Sequence, residues 1–143
     1  MALTTILKDY ARTEHYVVTR KNNADAIQIY RKEDMKPIRI QRKRTKGWKM
    51  PENTIYVGRP SKWGNPFLVG VAHLDDKNKW IPRSKIEAYL CFKEWFNRLW
   101  INRMNNLMES KYPIKELKYK NLCCWCRLNQ PCHADVLLEI ANK

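Results

Sequence analysis

The segment that most limits how this chain folds is Leu122–His133, LCCWCRLNQPCH, which holds four of the chain's five cysteines. The run NLCCWC at 121–126 predicts a buried strand, and ADVLLEIAN at 134–142 has the composition of a closing helix. Pro131 suits the entry to that helix. A strand that leads through a short loop into a helix is typical of α/β domains, in which helices cover a sheet.

The first interpretation of these cysteines is a reactive thiol. A cysteine at the start of a helix lies near the positive end of the helix dipole and near free N–H groups, which favour the thiolate. His133 could then move a proton, and Asp135 could orient it or act as the base. The sequence therefore predicts an acid, base or nucleophile among Cys126, Cys132, His133 and Asp135. The same helix start would equally hold a phosphate without catalysis.

Zinc binding is the second interpretation. Cys123-x-x-Cys126 has the spacing of zinc ligands, with Cys132 and His133 to complete the set. Alternation along a strand, however, places Cys124 and Cys126 on one face and turns Cys123 away. Adjacent residues are also an awkward way to give two ligands to one tetrahedral ion. We therefore expect no cofactor, with a zinc site at Cys124, Cys126, Cys132 and His133 as the alternative.

The number and position of the cysteines also indicate a compartment. Five is an odd number, and the neighbouring Cys123 and Cys124 are sterically a poor disulfide pair. We interpret Cys91 and Cys123 as packing residues and expect the cytoplasm or another reducing intracellular compartment. The first residues lack the pattern of a secretory signal, and no apolar run has membrane-spanning length, so we expect no membrane partner.

A second motif, GRPSKWGNPF at 58–67, follows the predicted strand TIYVG at 54–58. Loops at the carboxyl ends of strands form the ligand crevice of open α/β sheets. A guanidinium group makes forked contacts with phosphate, and an ammonium group adds a point charge. The predicted substrate-binding residues are Gly58, Arg59, Ser61, Lys62, Trp63 and Asn65, with Trp63 stacking on a base or sugar. The alternative is a stiff connection whose Trp63 and Phe67 plug the core.

Charge points to a polyanionic partner. Lysine and arginine number 28 against 14 acidic residues, and the stretch 36–49 carries seven basic residues and no acidic one. A basic surface with interspersed aromatic rings is typical of nucleic-acid binding, although lysine-rich solubility would give the same composition. The predicted nucleic-acid-binding strip is Arg39, Arg42, Lys43, Arg44, Lys46, Trp48 and Lys49.

The chain divides into an N-terminal extension, residues 1–35, and an α/β domain, residues 36–143. The extension would hold a short helix at 2–12 and strands at 15–19 and 26–30. Within the domain, Ser84 and Glu87 have capping-box spacing and predict the start of a long helix. Helical periodicity predicts that its core-facing residues are Ile86, Tyr89, Leu90, Phe96, Leu99 and Trp100. The predicted fold is a small, single-domain, Rossmann-like α/β structure with a partly parallel sheet flanked by helices.

Two long stretches, RIQRKRTKGWKMPENTIYVGRPSKWGNPF and CWCRLNQPCHADVLLEIAN, resemble the domain of unknown function 4326 family of bacteria and their phages. The resemblance covers about 37–142 and implies that the two motifs make one site. Cys123 and Ala134 stand where the family usually has glycine. The implied signature residues are Gly58, Arg59, Pro60, Trp63, Gly64, Asn65, Pro66 and Phe67 in one motif, and Cys124, Trp125, Cys126, Cys132, His133 and Asp135 in the other.

The leading hypothesis is an intracellular protein that binds a nucleotide or a nucleic-acid end. A reaction on a glycosidic or phosphoester bond belongs to this hypothesis, but the sequence leaves open whether the protein is an enzyme. The alternative is a non-catalytic RNA- or DNA-binding component of a larger nucleoprotein assembly, such as a phage particle or a ribosome. A zinc-stapled binding module is the third hypothesis.

Overall fold

The computed structural model describes residues 16–20, 27–31, 34–74, 79–101 and 111–143. A 3₁₀ helix at Ile114–Leu117 separates the two halves of the helical layer. In chain order, the strands and α-helices of these ranges are β1 (Tyr16–Arg20), β2 (Ile27–Arg31), β3 (Arg39–Gln41), β4 (Thr54–Tyr56), β5 (His73–Leu74), β6 (Lys79–Trp80), α1 (Lys85–Ile101), β7 (Asn121–Cys124) and α2 (His133–Ala141).

The central sheet has the order β3-β7-β4, and both pairings are parallel. Leu122 of β7 is level with Arg39 of β3 on one side and with Ile55 of β4 on the other. Strands β1 and β2 form an antiparallel hairpin, as do β5 and β6. The predicted mixed α/β architecture with a parallel sheet is confirmed. The Rossmann-like class and the division at residue 35 stay predictions, and the helix predicted at 2–12 lies outside the described residues.

The core lies between β7, α2 and α1. Leu122 and Cys124 alternate onto the core face of β7, while Cys123 is buried outside the main cluster. Helix α2 presents its apolar face, including Leu137 and Ile140, to this surface. Removing a side chain such as Leu137 fully from water contributes about 1.5–3 kcal/mol. This packing fixes the start of α2 at the carboxyl end of β7.

Helix α1 begins as predicted, and its core-facing residues were predicted in part. The Ser84 hydroxyl accepts the Glu87 N–H, and the Glu87 carboxylate accepts the N–H of Arg83. Ile86 and Leu90, predicted to face the core, are 60% and 52% exposed. Phe96 is buried as predicted, and Ala88 and Phe92 complete the buried stripe. Most positions of this helix are apolar, so periodicity alone did not distinguish its faces. Ring packing determines which face is buried, and it involves Phe92, Trp95, Phe96, Phe67 and Tyr112.

Candidate functional site

The two sequence motifs leave the sheet at the same edge. Strand β4 leads into the 58–67 loop and β7 leads into the 125–132 loop, and these strands are parallel neighbours. The motifs also touch directly, because His133 Nε2 lies 2.7 Å from the carbonyl oxygen of Val57. The carboxyl edge of the sheet therefore brings together residues that are some 75 positions apart in sequence, as the two-motif hypothesis required.

The 58–67 loop is built mainly by its own side chains. Asn65 donates to the Ala88 carbonyl oxygen and accepts the Phe67 N–H, so both ends of its amide are occupied. Trp63 is 4% exposed and lies in the core beside Phe67. The stacking role predicted for Trp63 is therefore wrong, and the structure agrees with the alternative, in which Trp63 and Phe67 fill the core. Burial of a large ring holds the loop in shape and leaves no face for a base.

The remaining members of this loop differ in what they can offer a ligand. Arg59 is exposed, and its guanidinium forms no hydrogen bond or ion pair with the described residues. Lys62 Nζ lies 2.8 Å from Glu116 Oε2, an exposed pair that is cheaply broken. The Ser61 hydroxyl is buried without a hydrogen-bond partner among the described residues. A Cβ at Gly64 would lie 3.0 Å from the backbone of Arg59, so the turn needs glycine there.

Three thiols meet where β7 ends and α2 begins. The sulfur atoms of Cys124, Cys126 and Cys132, here called the thiol cluster, all lie within 4.8 Å of one another. Cys124 Sγ is 3.1 Å from Cys132 Sγ. Cys123 points away, as strand alternation predicts. Cys124 and Cys132 are buried and Cys126 is half-buried, so a reagent reaches the cluster through Cys126.

Contacts among the three thiols shift their pKa values in different directions. Hydrogen bonds with the thiols of Cys124 and Cys132 hold the pKa of Cys126 well below its ordinary value, against the opposing effect of burial. The pKa of Cys124 is raised, first by its hydrogen bond with Cys126. For Cys132 the contact with Cys124 lowers the pKa, but the contact with Cys126 and burial outweigh it and raise it. The pKa is thus lowered at Cys126 and raised at Cys132, the thiol at the helix start where the sequence analysis expected the lowered value.

His133 is oriented by the backbone. Its Nε2 must donate to the Val57 carbonyl oxygen, because that oxygen only accepts. Burial lowers the pKa of His133, so the ring is neutral and its Nδ1 carries a lone pair. That lone pair lies 3.4 Å from Cys132 Sγ. The imidazole therefore faces the Cys132 thiol and is 7% exposed, which leaves little room for the proton transfer to a substrate that the sequence suggested.

Asp135 and Arg39 form a structural tie instead of catalytic and nucleic-acid contacts. Asp135 Oδ2 accepts from Arg39 Nη1 at 3.0 Å and from the Cys132 N–H at 3.1 Å. Arg39 Nη2 also donates to carbonyl oxygens of the loop before α2, those of Arg127, Leu128 and Gln130. The Arg39 side chain is only 8% exposed. Arg39 is thus not available to a phosphate, and Asp135 makes no hydrogen bond to His133.

An exposed group of guanidinium and aromatic side chains lies at the same edge. Arg42 lies 4.9 Å from the ring of Tyr56 and 5.0 Å from that of Trp125, and Arg44 lies 5.0 Å from Trp125. The Tyr56 hydroxyl donates to the Arg59 carbonyl oxygen at 2.9 Å, which joins the second motif to the group. We call Arg42, Arg44, Tyr56, Arg59 and Trp125 the arginine–aromatic cluster. Its rings hold the guanidinium groups of Arg42 and Arg44 by cation–π attraction, and both arginines are exposed.

The rest of the predicted strip continues away from this cluster. Lys43, Lys46 and Lys49 are exposed, and Trp48 is half-buried in the turn at Gly47. The turn is closed by the Trp48 N–H, which donates to the Thr45 carbonyl oxygen. The strip without Arg39 is therefore an accessible cationic surface that runs into the arginine–aromatic cluster.

Two members of the arginine–aromatic cluster, Tyr56 and Trp125, were absent from the predicted binding residues. A signal for Trp125 was present: a residue between the inward-facing Cys124 and Cys126 points to the opposite side. Trp125 is 41% exposed. Tyr56 carried no comparable signal, because its ring folds back over Gly58 only in the tertiary structure.

Comparison with protein families matches residues 40–143 to a domain of unknown function (DUF4326). The match confirms the resemblance carried by the two motifs, and it contains both clusters. No curated protein and no solved structure matches the chain. Among the described residues, no helix is long and apolar enough to cross a membrane.

Proposed function

The chain belongs to the DUF4326 family, and we propose that it binds single-stranded nucleic acid at the carboxyl edge of its sheet. The observation that carries the proposal is the exposed Trp125 with the guanidinium groups of Arg42 and Arg44 each 5.0 Å from its ring. Proteins that bind single strands pair aromatic platforms for bases with cations for the backbone.

Stacking and charge act on different parts of the ligand. A base on the indole of Trp125 would contribute about 1–3 kcal/mol, whatever its identity, because every base has a π face. Arg42 and Arg44 make no ion pair with the described residues, so their donors can meet phosphate oxygens without first breaking a salt bridge. Bidentate, charge-assisted contacts of this kind are the stronger ones in water.

The surroundings extend the surface in two directions. Arg59 is tied to the cluster through Tyr56, on the side of the second motif. Lys43, Lys46 and Lys49 continue it on the other side. A net charge of +14 would speed the approach of a polyanion. The same surface serves a free binder and a component of a nucleoprotein assembly, in a reducing compartment that keeps all five cysteines as thiols.

Binding is better supported than catalysis of glycosidic or phosphoester cleavage. Of the four residues predicted to act as acid, base or nucleophile, Cys132 and His133 are buried and Asp135 is paired with Arg39. Cys126 and Asp135 are partly accessible, but the Cys126 sulfur faces two other thiols and the Asp135 carboxylate, on a side chain that is 44% exposed, is held by Arg39. A reacting group needs hydrogen-bond reach to its substrate, which the buried Cys132 and His133 do not offer. The proposal is therefore limited to binding.

The test is fluorescence anisotropy of labelled single-stranded oligonucleotides across a salt series. R42Q/R44Q removes two cluster charges, and K36Q/K118Q removes two exposed charges that precede β3 and β7 and so lie toward the opposite edge. We expect R42Q/R44Q to reduce the magnitude of the log K against log salt slope by about 1.4, since each phosphate contact on a single strand contributes about 0.7. K36Q/K118Q should leave the slope unchanged.

Trp125→Ala separates stacking from charge in the same assay. We expect a loss of about 5- to 150-fold in affinity with an unchanged salt slope, because the ring contributes no counterion release. Equal slopes for wild type, R42Q/R44Q and K36Q/K118Q would overturn the proposal. Failure of the wild-type protein to bind DNA or RNA oligonucleotides at low salt would do the same.

A further inference from the structure

We propose that the thiol cluster is a binding site for a soft, tetrahedral divalent ion of the Zn²⁺ class, with His133 Nδ1 as the fourth ligand. The proposal concerns residues that the nucleic-acid surface does not use. It stands on the arrangement of Cys124, Cys126, Cys132 and His133 and does not depend on what the arginine–aromatic cluster binds.

The spacing of the sulfur atoms is the first argument. Zn–S bonds of about 2.3 Å in a tetrahedron place sulfur atoms about 3.8 Å apart. The three sulfur atoms lie within 4.8 Å of one another, and the Cys124–Cys132 pair is at 3.1 Å. Changes of less than about 1 Å would bring all three to one ion, and such shifts are within side-chain reach.

The orientation of His133 is the second and independent argument. A metal-binding histidine usually donates its other ring N–H to a carboxylate or backbone carbonyl, which fixes the tautomer and aims the lone pair. His133 Nε2 has that partner in the Val57 carbonyl oxygen at 2.7 Å. Nδ1 is then the unprotonated nitrogen, and it lies 3.4 Å from Cys132 Sγ. A buried imidazole held in this way is already prepared as a ligand.

The chemistry of the donors selects the ion. Thiolates with an imidazole favour zinc-like ions over Mg²⁺ or Ca²⁺, which prefer oxygen ligands. The nearest carboxylate, that of Asp135, is occupied by Arg39 and the Cys132 N–H. Three thiolates and one divalent ion leave one negative charge. The Arg39 guanidinium and the positive end of the α2 dipole, which begins beside Cys132, offset it.

The two objections raised by the sequence are met by the fold. Strand alternation removes Cys123 from the set but supplies Cys124 in its place, on the same side as Cys126. The adjacent Cys132 and His133 can both reach the cluster because they stand at the cap and the first position of α2, where the backbone changes direction. Each thiol that coordinates releases its proton to water.

A bound ion would join the end of β7 to the start of α2. Trp125 lies between two of its ligands in sequence, so the ion would also fix the loop that carries this ring. The role is structural: the ion would stabilise the folded chain by its binding free energy. Loss of the ion would loosen the 125–132 loop, which would then be held by the Arg39 hydrogen bonds and by the contacts of Trp125 with Arg42 and Arg44.

The experiment is metal analysis of reduced, full-length protein followed by Co²⁺ titration of the metal-free form. We expect one Zn²⁺ per chain, and for Co²⁺ the visible bands of a tetrahedral ion with a sulfur-to-metal charge-transfer band. Losing a group that only orients a ligand costs about 10- to 100-fold in metal affinity. Cys126→Ser, which removes a ligand, should therefore weaken binding by more than about 100-fold. The control Cys91→Ser, at a helical position outside the cluster, should bind like wild type.

Two measurements on the unmodified chain guard against a variant that fails to fold. Zn²⁺ should slow alkylation of Cys126 by iodoacetamide, compared with chelator-treated protein, and leave Cys91 unchanged as an internal standard. X-ray absorption of the Zn²⁺ form should show three sulfur neighbours and one imidazole nitrogen. The proposal is overturned if no charge-transfer band forms, or if Cys126 is alkylated equally with and without Zn²⁺. A spectrum without imidazole scattering overturns the assignment of His133.

Discussion

The thiol cluster and the arginine–aromatic cluster meet in one short segment, to which they contribute alternate residues, yet they differ in burial, charge and hydrogen bonding. Cys124 and Cys126 face inward to Cys132, while Trp125 between them faces solvent. The thiols of the inner cluster contact one another inside the folded chain. The outer groups, Arg42 and Arg44 among them, touch rings but satisfy few of their donors.

This difference separates residues that build the site from residues that can meet a ligand. Saturated polar groups such as Arg39 and Asn65 stabilise the loops, and breaking them costs stability. Exposed cations whose N–H groups are solvated contribute little to folding stability, and they gain contacts when a polyanion binds. Substitutions of the first group should therefore lower the free energy of unfolding, and substitutions of the second group should lower the affinity for nucleic acid.

The largest expected effect contrasts two tryptophans. Trp63→Ala removes a core ring and should lower the free energy of unfolding by about 3–5 kcal/mol. Trp125→Ala removes an exposed ring and should cost about 1 kcal/mol or less, mainly from lost cation–π contacts. Urea unfolding followed by circular dichroism measures both. Similar losses for the two variants would contradict the division into inner and outer residues.

Two arginines give the next contrast. Arg39→Ala removes the guanidinium from Asp135, which keeps only the Cys132 N–H, and from three loop carbonyl oxygens, which should destabilise the fold by about 3 kcal/mol. The matched change at an exposed site, Arg44→Ala, should stay within about 0.5 kcal/mol. The same denaturation experiment applies. A stable Arg39→Ala protein with weakened nucleic-acid affinity would restore the binding role that the sequence predicted for Arg39.

Asn65 sharpens the comparison within the 58–67 loop. Asn65→Ala leaves the Phe67 N–H without its acceptor and removes the second donor to the Ala88 carbonyl oxygen, which lies inside helix α1, at a cost of about 1–3 kcal/mol. Asn129→Ala, in the exposed part of the other loop, should change stability by less than about 0.5 kcal/mol. Thermal unfolding of both variants is the measurement. A ligand role for Asn65 would instead appear as lost oligonucleotide affinity at unchanged stability.

The smallest effect concerns Arg59. Arg59→Gln should leave stability unchanged and lower the magnitude of the salt slope for single-stranded oligonucleotides by about 0.7, the value of one phosphate contact. Lys118→Gln, which removes one charge before β7, is the matched control and should leave the slope as in wild type. An Arg59→Gln slope equal to that of the control would remove Arg59 from the proposed surface.

Local patterns predicted much of the framework. The strands around residues 54–56 and 121–124, the helix that begins after Ser84 and the helix that begins after Cys132 are all present. Their signals, namely short apolar runs and a capping serine, act between near neighbours in sequence. Burial was predicted wrongly for Ile86 and Leu90. Several faces of this apolar helix could be buried, and contacts with aromatic residues far away in sequence determine which one is.

The sequence by itself determined which residue types could meet at the site, the alternation that separates Cys124 from Cys123, and the family to which the chain belongs. The tertiary structure alone decided how they are used. It buried Trp63, tied Arg39 to Asp135, turned His133 toward Val57 and left Trp125 in solvent. The reason is physical: burial and hydrogen-bond satisfaction depend on partners far away in sequence, and no local pattern records which of several polar groups will find one.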